Sequence, residues 1–91
     1  MAAREMWVFS PRRYVVTALS GASPGEWSEE KVSDLIDRVC ATVNDALPEG
    51  ATYHAAGCLI YPAEWDAEKA RAAFSEATQH LDERFWDLVE T

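Results

Sequence analysis

What this chain lacks narrows its chemistry first. It has only two cysteines, Cys40 and Cys58, and no CxxC pair, so no disulfide framework is read. Four unclustered glycines leave nothing to cradle a phosphate, and no GxSxG, Walker or GxGxxG pattern occurs. No stretch approaches the roughly 18 apolar residues of a membrane span. Met1–Trp7 carries charges and no apolar h-region follows, so no signal peptide is read there. The expectation is a cytoplasmic protein with reduced thiols.

Basic side chains are also scarce. Eight Lys and Arg against sixteen Asp and Glu give a net charge of −8 and a pI near 4.5. Phosphate neutralisation needs clustered cations, so direct nucleic-acid binding and docking on anionic membranes are both disfavoured. A basic protein partner, or a purely solvated surface, fits the charge. The balance is uneven. Residues 1–23 hold Arg4, Arg12 and Arg13 against Glu5, a net of +2, whereas residues 24–91 hold five basic and fifteen acidic side chains, a net of −10.

What is present suits one small domain over residues 1–91. The hydrophobic share is 48%, enough for a thin core that a partner or a second copy could supplement. Glu5–Phe9 reads as a strand ended by Ser10-Pro11, and the β-branched run Tyr14–Leu19 as a second strand across a turn. A single long bent strand is the alternative. Ser23-Pro24-Gly25-Glu26 resembles a helix start. The stripe Val32, Leu35, Ile36, Val39, Cys40, Val43 and Leu47 continues that helix until Pro48 and Gly50. Ala51–Tyr61 is nearly free of charge and reads as a third strand. Pro62–Val89 reads as one uninterrupted helix with Ala70, Ala73, Phe74, Ala77, Leu81, Phe85 and Leu88 along one side.

The two helix starts also resemble each other. Pro24-Gly25-Glu26-Trp27-Ser28-Glu29-Glu30-Lys31 aligns with Pro62-Ala63-Glu64-Trp65-Asp66-Ala67-Glu68-Lys69 at a spacing of 38. Either duplication of a βα unit or convergence on favoured helix-start residues accounts for it.

The order ββαβα predicts a two-layer α/β or α+β sandwich, with a three-stranded mixed sheet and two helices on one face. Neither face of the presumed strands is polar, and two helices cover only one. An uncovered apolar face marks a contact surface. The expected function is therefore a small acidic non-catalytic protein-interaction module that forms a homodimer or docks a protein partner. Trp7, Phe9, Tyr14, Val16, Tyr53, Tyr61 and Trp86 are the candidate surface residues. The alternative is an acidic inhibitor or nucleic-acid mimic presenting helical carboxylates to a basic groove.

An enzyme is the third reading. His54 and Cys58, four apart on one strand, would lie about 13 Å apart and could not share an ion. A zinc site would need Cys40 to approach them. His80 lies four residues from Glu76 and from Arg84, the spacing of ordinary surface pairs. No metal, cofactor or catalytic residue is expected.

Overall fold

Strand and helix follow one another in the order βααββαα. The computed structural model describes residues 3–22 and 27–90. β1 (Ala3–Trp7) is followed by α1 (Pro11–Ala22) and α2 (Glu29–Ala46). Then come β2 (Thr52–Tyr53), β3 (Cys58–Pro62), α3 (Ala67–Thr78) and α4 (Leu81–Glu90). The sheet order is β1-β3-β2, with both pairings antiparallel. This is an α+β fold with four helices among the described residues. It overturns the expected ββαβα order, the mixed sheet and the two-helix layer.

Three local causes explain the difference. The first lies in Tyr14–Leu19, which is helical. The Ser10 Oγ accepts from the Arg13 N–H at 3.3 Å, and the Ser10 carbonyl accepts from the Tyr14 N–H at 3.0 Å. Ser10 thus caps a helix whose first residue is Pro11, the favoured place for proline. Pro11, Val15 and Leu19 are buried, with Tyr14 and Ala18 half-buried beside them. That spacing of four with flanking positions is one helical face. Burial of the face outweighs the weak β-preference of Tyr-Val-Val-Thr.

The second cause is a turn inside Ala51–Tyr61. The Gly57 N–H donates to the His54 carbonyl at 2.9 Å, and the His54 N–H donates to Cys58 at 2.8 Å. Gly57 has φ of +99°, the left-handed residue that closes a three-residue hairpin loop. A Cβ there would meet the Phe9 carbonyl oxygen and the Trp7 indole nitrogen, each at 3.1 Å. The run is therefore a hairpin. β1 and β2, joined through α1 and α2, run parallel to each other, but β3 lies between them, so both neighbouring pairings are antiparallel.

The third cause breaks the long helix. Pro62 ends β3, and α3 starts only after Asp66, whose side chain accepts from the Lys69 N–H at 2.7 Å. At its far end the Thr78 hydroxyl donates to the Phe74 carbonyl at 2.9 Å, a side-chain bond that bends helices. α4 then runs back along α2. Its last carbonyls have no basic residue of their own, but Lys31 Nζ donates to Val89 O and Arg38 Nη1 to Leu88 O, both at 3.1 Å. Two cations, two turns apart on α2, complement the negative end of α4.

α2 carries the core. Val32, Leu35, Ile36, Val39 and Val43 are buried on it, with Cys40 half-buried, and Leu47 is buried just past its end. Val15, Leu19, Tyr53, Leu59, Tyr61, Ala70, Phe74, Leu81 and Phe85 complete the cluster. The helix start expected at Ser23–Glu26 lies outside the described residues; Ser28 is the N-cap, accepting from the Lys31 N–H at 3.1 Å. Ser28 and Asp66 keep the 38-residue offset, as do Trp27 and Trp65, which precede the two caps and pack against the core. The alignment thus marks two matching N-caps. It does not mark two βα units, because α2 follows a helix. Among the described residues, no helix is long and apolar enough to cross a membrane.

The two sheet edges differ. Val8 N–H donates to Gly57 O at 2.8 Å, so by alternation Arg4, Met6 and Val8 turn their backbone groups to β3, while Glu5 and Trp7 turn theirs outward. On the other side the His54–Cys58 bond turns Tyr53 outward from β3. There the Asn44 side chain meets it. Asn44 Oδ1 accepts from Tyr53 N–H at 2.7 Å, and Asn44 Nδ2 donates to Tyr53 O at 3.1 Å. One amide therefore replaces a neighbouring strand. Asn44→Ala should lower unfolding free energy by about 2 kcal/mol, two lost bonds at about 1 kcal/mol each. Urea unfolding of the variant checks this; an unchanged midpoint would contradict it.

Candidate functional site: an aromatic groove beside an open strand edge

The outer sheet face follows from the register. Ala3, Glu5 and Trp7 of β1 share it with Cys58, Ile60 and Pro62 of β3 and with Thr52 of β2. Ile60 stands between Glu5 and Thr52, so the face is mixed rather than uniformly apolar. Its most exposed apolar residue is Trp7, at 66%. Cys58, Ile60 and Pro62 are half-buried.

Beside Trp7 lies a groove of about 460 Å³. Trp7, Phe9 and Ser10 form one wall, Arg13, Tyr14, Thr17 and Ala18 of α1 the other, and Asp82 at the start of α4 adds a carboxylate. The Tyr14 hydroxyl donates to Asp82 Oδ1 at 2.5 Å. An apolar cleft of this size with a few polar groups has the character of a binding site.

Behind the groove, aromatic rings run continuously into the core. Phe9 lies 5.7 Å from Tyr14, 5.5 Å from Tyr53 and 5.5 Å from Phe74 between ring centroids. Tyr14 meets Phe85 edge-on at 5.5 Å, and Phe85 meets Trp86 edge-on at 5.0 Å. These separations and tilts are those of favourable aromatic pairs. Of the surface candidates, the structure brings Phe9, Tyr14, Tyr53 and Trp86 into one chain of rings and places Trp7 beside it. Trp86 is 40% exposed and Val16 43%. Val16 lies with Leu19 and Trp27 along a separate cleft. Tyr53 and Tyr61 are buried in the core, on the inner sheet face with Leu59. Sequence reasoning missed Asp82 as a groove residue, and it missed Phe74 and Phe85 as links. Their helical spacing marked those two phenylalanines as core, which they also are.

Three titratable groups beside the groove and in the core behind it are held in their protonated forms. Burial, then the Asp82 hydrogen bond and charge, raise the Tyr14 pKa, so its phenol stays a donor and is a poor base. Burial likewise raises Tyr53, with smaller contributions from Cys40 and Cys58, and its hydroxyl donates to Phe9 O at 2.7 Å. Cys40 is pushed up by burial and by Asp37, which makes it a weaker nucleophile.

The placement of His54 and Cys58 needs correcting. The hairpin sets them opposite each other as a bonded pair, a geometry with Cα atoms about 5.5 Å apart, instead of four residues along one strand. Trp7 pairs Cys58 on the other side, so indole, thiol and imidazole form a row on the outer face. Among the described residues, no group of three or more His, Cys, Asp or Glu could hold a metal. His80 sits at the α3–α4 bend, with Nδ1 3.7 Å from Glu83 Oε1 in an exposed pair.

The two tyrosines give a pH dependence of definite sign. Their raised pKa values mean that above pH about 10, the ordinary phenol value, the folded chain holds more protons than the unfolded one. Their contribution is complete below that pH and is lost as pH rises beyond it. Urea midpoints measured across this range should fall, and Tyr14→Phe or Tyr53→Phe should flatten the fall. No protein-family model, curated protein or solved structure matches this chain.

Proposed function

We propose that this chain is a small acidic protein-interaction domain without catalytic chemistry, and that it docks through the surface around Trp7. One observation carries the reading: an indole 66% exposed at the mouth of an apolar groove. Exposing so large a side chain forgoes about 2 kcal/mol of burial, which a partner would recover. Tryptophan is also the residue type most enriched at interface hot spots. The groove adds shape, while Arg13 and Asp82 add two opposite charges for orientation.

The competing idea, an acidic mimic that fills a basic groove with helical carboxylates, uses a different surface. Exposed Glu30, Asp34 and Asp37 on α2 would carry it. Site-specific photo-cross-linking separates the two. A photoreactive side chain at position 7 should give an adduct in the producing cells, and the same group at position 37 should give none. Adducts from position 37 alone, weakening steeply with salt, would replace the proposal with the mimic.

A further inference from the structure

We infer that the groove beside Trp7 is a pocket for a small aromatic zwitterion, a free aromatic amino acid or a molecule of that chemistry. Its carboxylate faces Arg13, its ammonium faces Asp82, and its ring meets the aromatic side chains of the lining. The inference goes beyond protein docking, since it assigns a small ligand to the space inside the groove. Size comes first: about 460 Å³ falls within the roughly 300–1,000 Å³ of small-molecule pockets. Trp7, Phe9 and Tyr14 supply three rings to the lining. Phe9 leans on Tyr53 and Phe74, and Tyr14 on Phe85, so neither ring turns away without breaking core contacts. A flat ring entering such a lining gains offset or edge-on contacts that an aliphatic group does not.

Two unlike charges complete the lining, and neither has a charged partner among the described residues. The Tyr14 hydroxyl takes Asp82 Oδ1 and holds the carboxylate against α1, while Oδ2 accepts no hydrogen bond. The Arg13 guanidinium makes no hydrogen bond or ion pair either, whereas its neighbour Arg12 is taken by Glu29 at 3.3 Å. Nor do Arg13 and Asp82 pair with each other. Tyr14 is Arg13's neighbour in α1 and Asp82's partner, so both charges gather around one tyrosine. That phenol stays neutral and adds no third charge. A purely cationic ligand leaves Arg13 opposed, and a purely anionic one leaves Asp82 opposed. A ligand with both charges answers both.

Three probes that share a benzene ring separate these charges. Phenylalanine carries both, phenethylamine only the cation and phenylpropionate only the anion. The Trp7 indole N–H signal in nuclear magnetic resonance titrations reads their affinities. At about 150 mM salt, a Debye length of about 8 Å screens the net charge of −8. Phenylalanine should bind about threefold more tightly than either analogue, the size of one exposed ion pair. Arg13→Gln should lower phenylalanine to the affinity of phenethylamine, and Asp82→Asn to that of phenylpropionate. The Asp82→Asn amide oxygen still accepts from Tyr14, so both variants should keep the native circular dichroism spectrum. If either misfolds, the ranking of the three probes on the native chain decides alone. No shift at Trp7 with millimolar phenylalanine, or an analogue that binds as tightly, would overturn the inference. Failure of the probes with a persistent adduct from position 7 would remove the pocket and leave protein docking standing. Phenylalanine preference without any adduct would uphold the pocket and remove the docking.

Discussion

Tyr53 is the residue on which the arrangement depends. Its backbone is held from α2 through both halves of the Asn44 amide, and its hydroxyl holds the Phe9 carbonyl between β1 and α1. Its ring packs on Phe9 and, at 5.3 Å, on Phe74 of α3. One buried residue, through its backbone and its side chain together, therefore ties the two-residue strand β2 to three other parts of the chain. A strand that short has little stability of its own. Without these ties the hairpin would have one partner strand and a wet edge. With them, among the described residues the β2 side of the sheet is closed by the chain itself and the β1 side is left open.

That asymmetry links the fold to the proposed function. The groove wall depends on Phe9 being fixed, and Tyr53 fixes it. Gly57 matters for the same reason, since a side chain there would press on both Phe9 and Trp7. The exposed indole thus sits at the end of β1, paired to the hairpin strand β3 and followed by a connection that Tyr53 bonds. Tyr14, bonded to Asp82, holds the opposite wall against the start of α4. Binding surfaces built on locked elements lose less freedom when a partner arrives.

Part of this was legible in the amino-acid order. The stripe on α2 from Val32 to Leu47 is buried as its spacing implied, because a three- and four-residue repeat has one geometric solution. Tyr14–Leu19 misled because β-branched composition was read ahead of the Pro11, Val15, Leu19 period. The hairpin within Ala51–Tyr61 was hidden because its turn is His-Ala-Ala-Gly, in which only Gly57 signals a bend. The break near Thr78 came from a hydroxyl–carbonyl bond that no hydrophobic pattern records. For the site, Trp7 and Trp86 were marked by their size and type. Asn44 and Asp82 act across long sequence separations, and a single chain read in order carries no sign of such pairings.

Amide hydrogen exchange at Tyr53 reports whether Asn44 closes the β2 edge. An outward-facing amide on a two-residue edge strand would ordinarily exchange fast. Held by Asn44, the Tyr53 amide should exchange only with global unfolding, at a rate matching the core amides of Val39 and Val43. Fast exchange at Tyr53, with those two amides still protected, would show that the edge is not closed from within and would contradict the account.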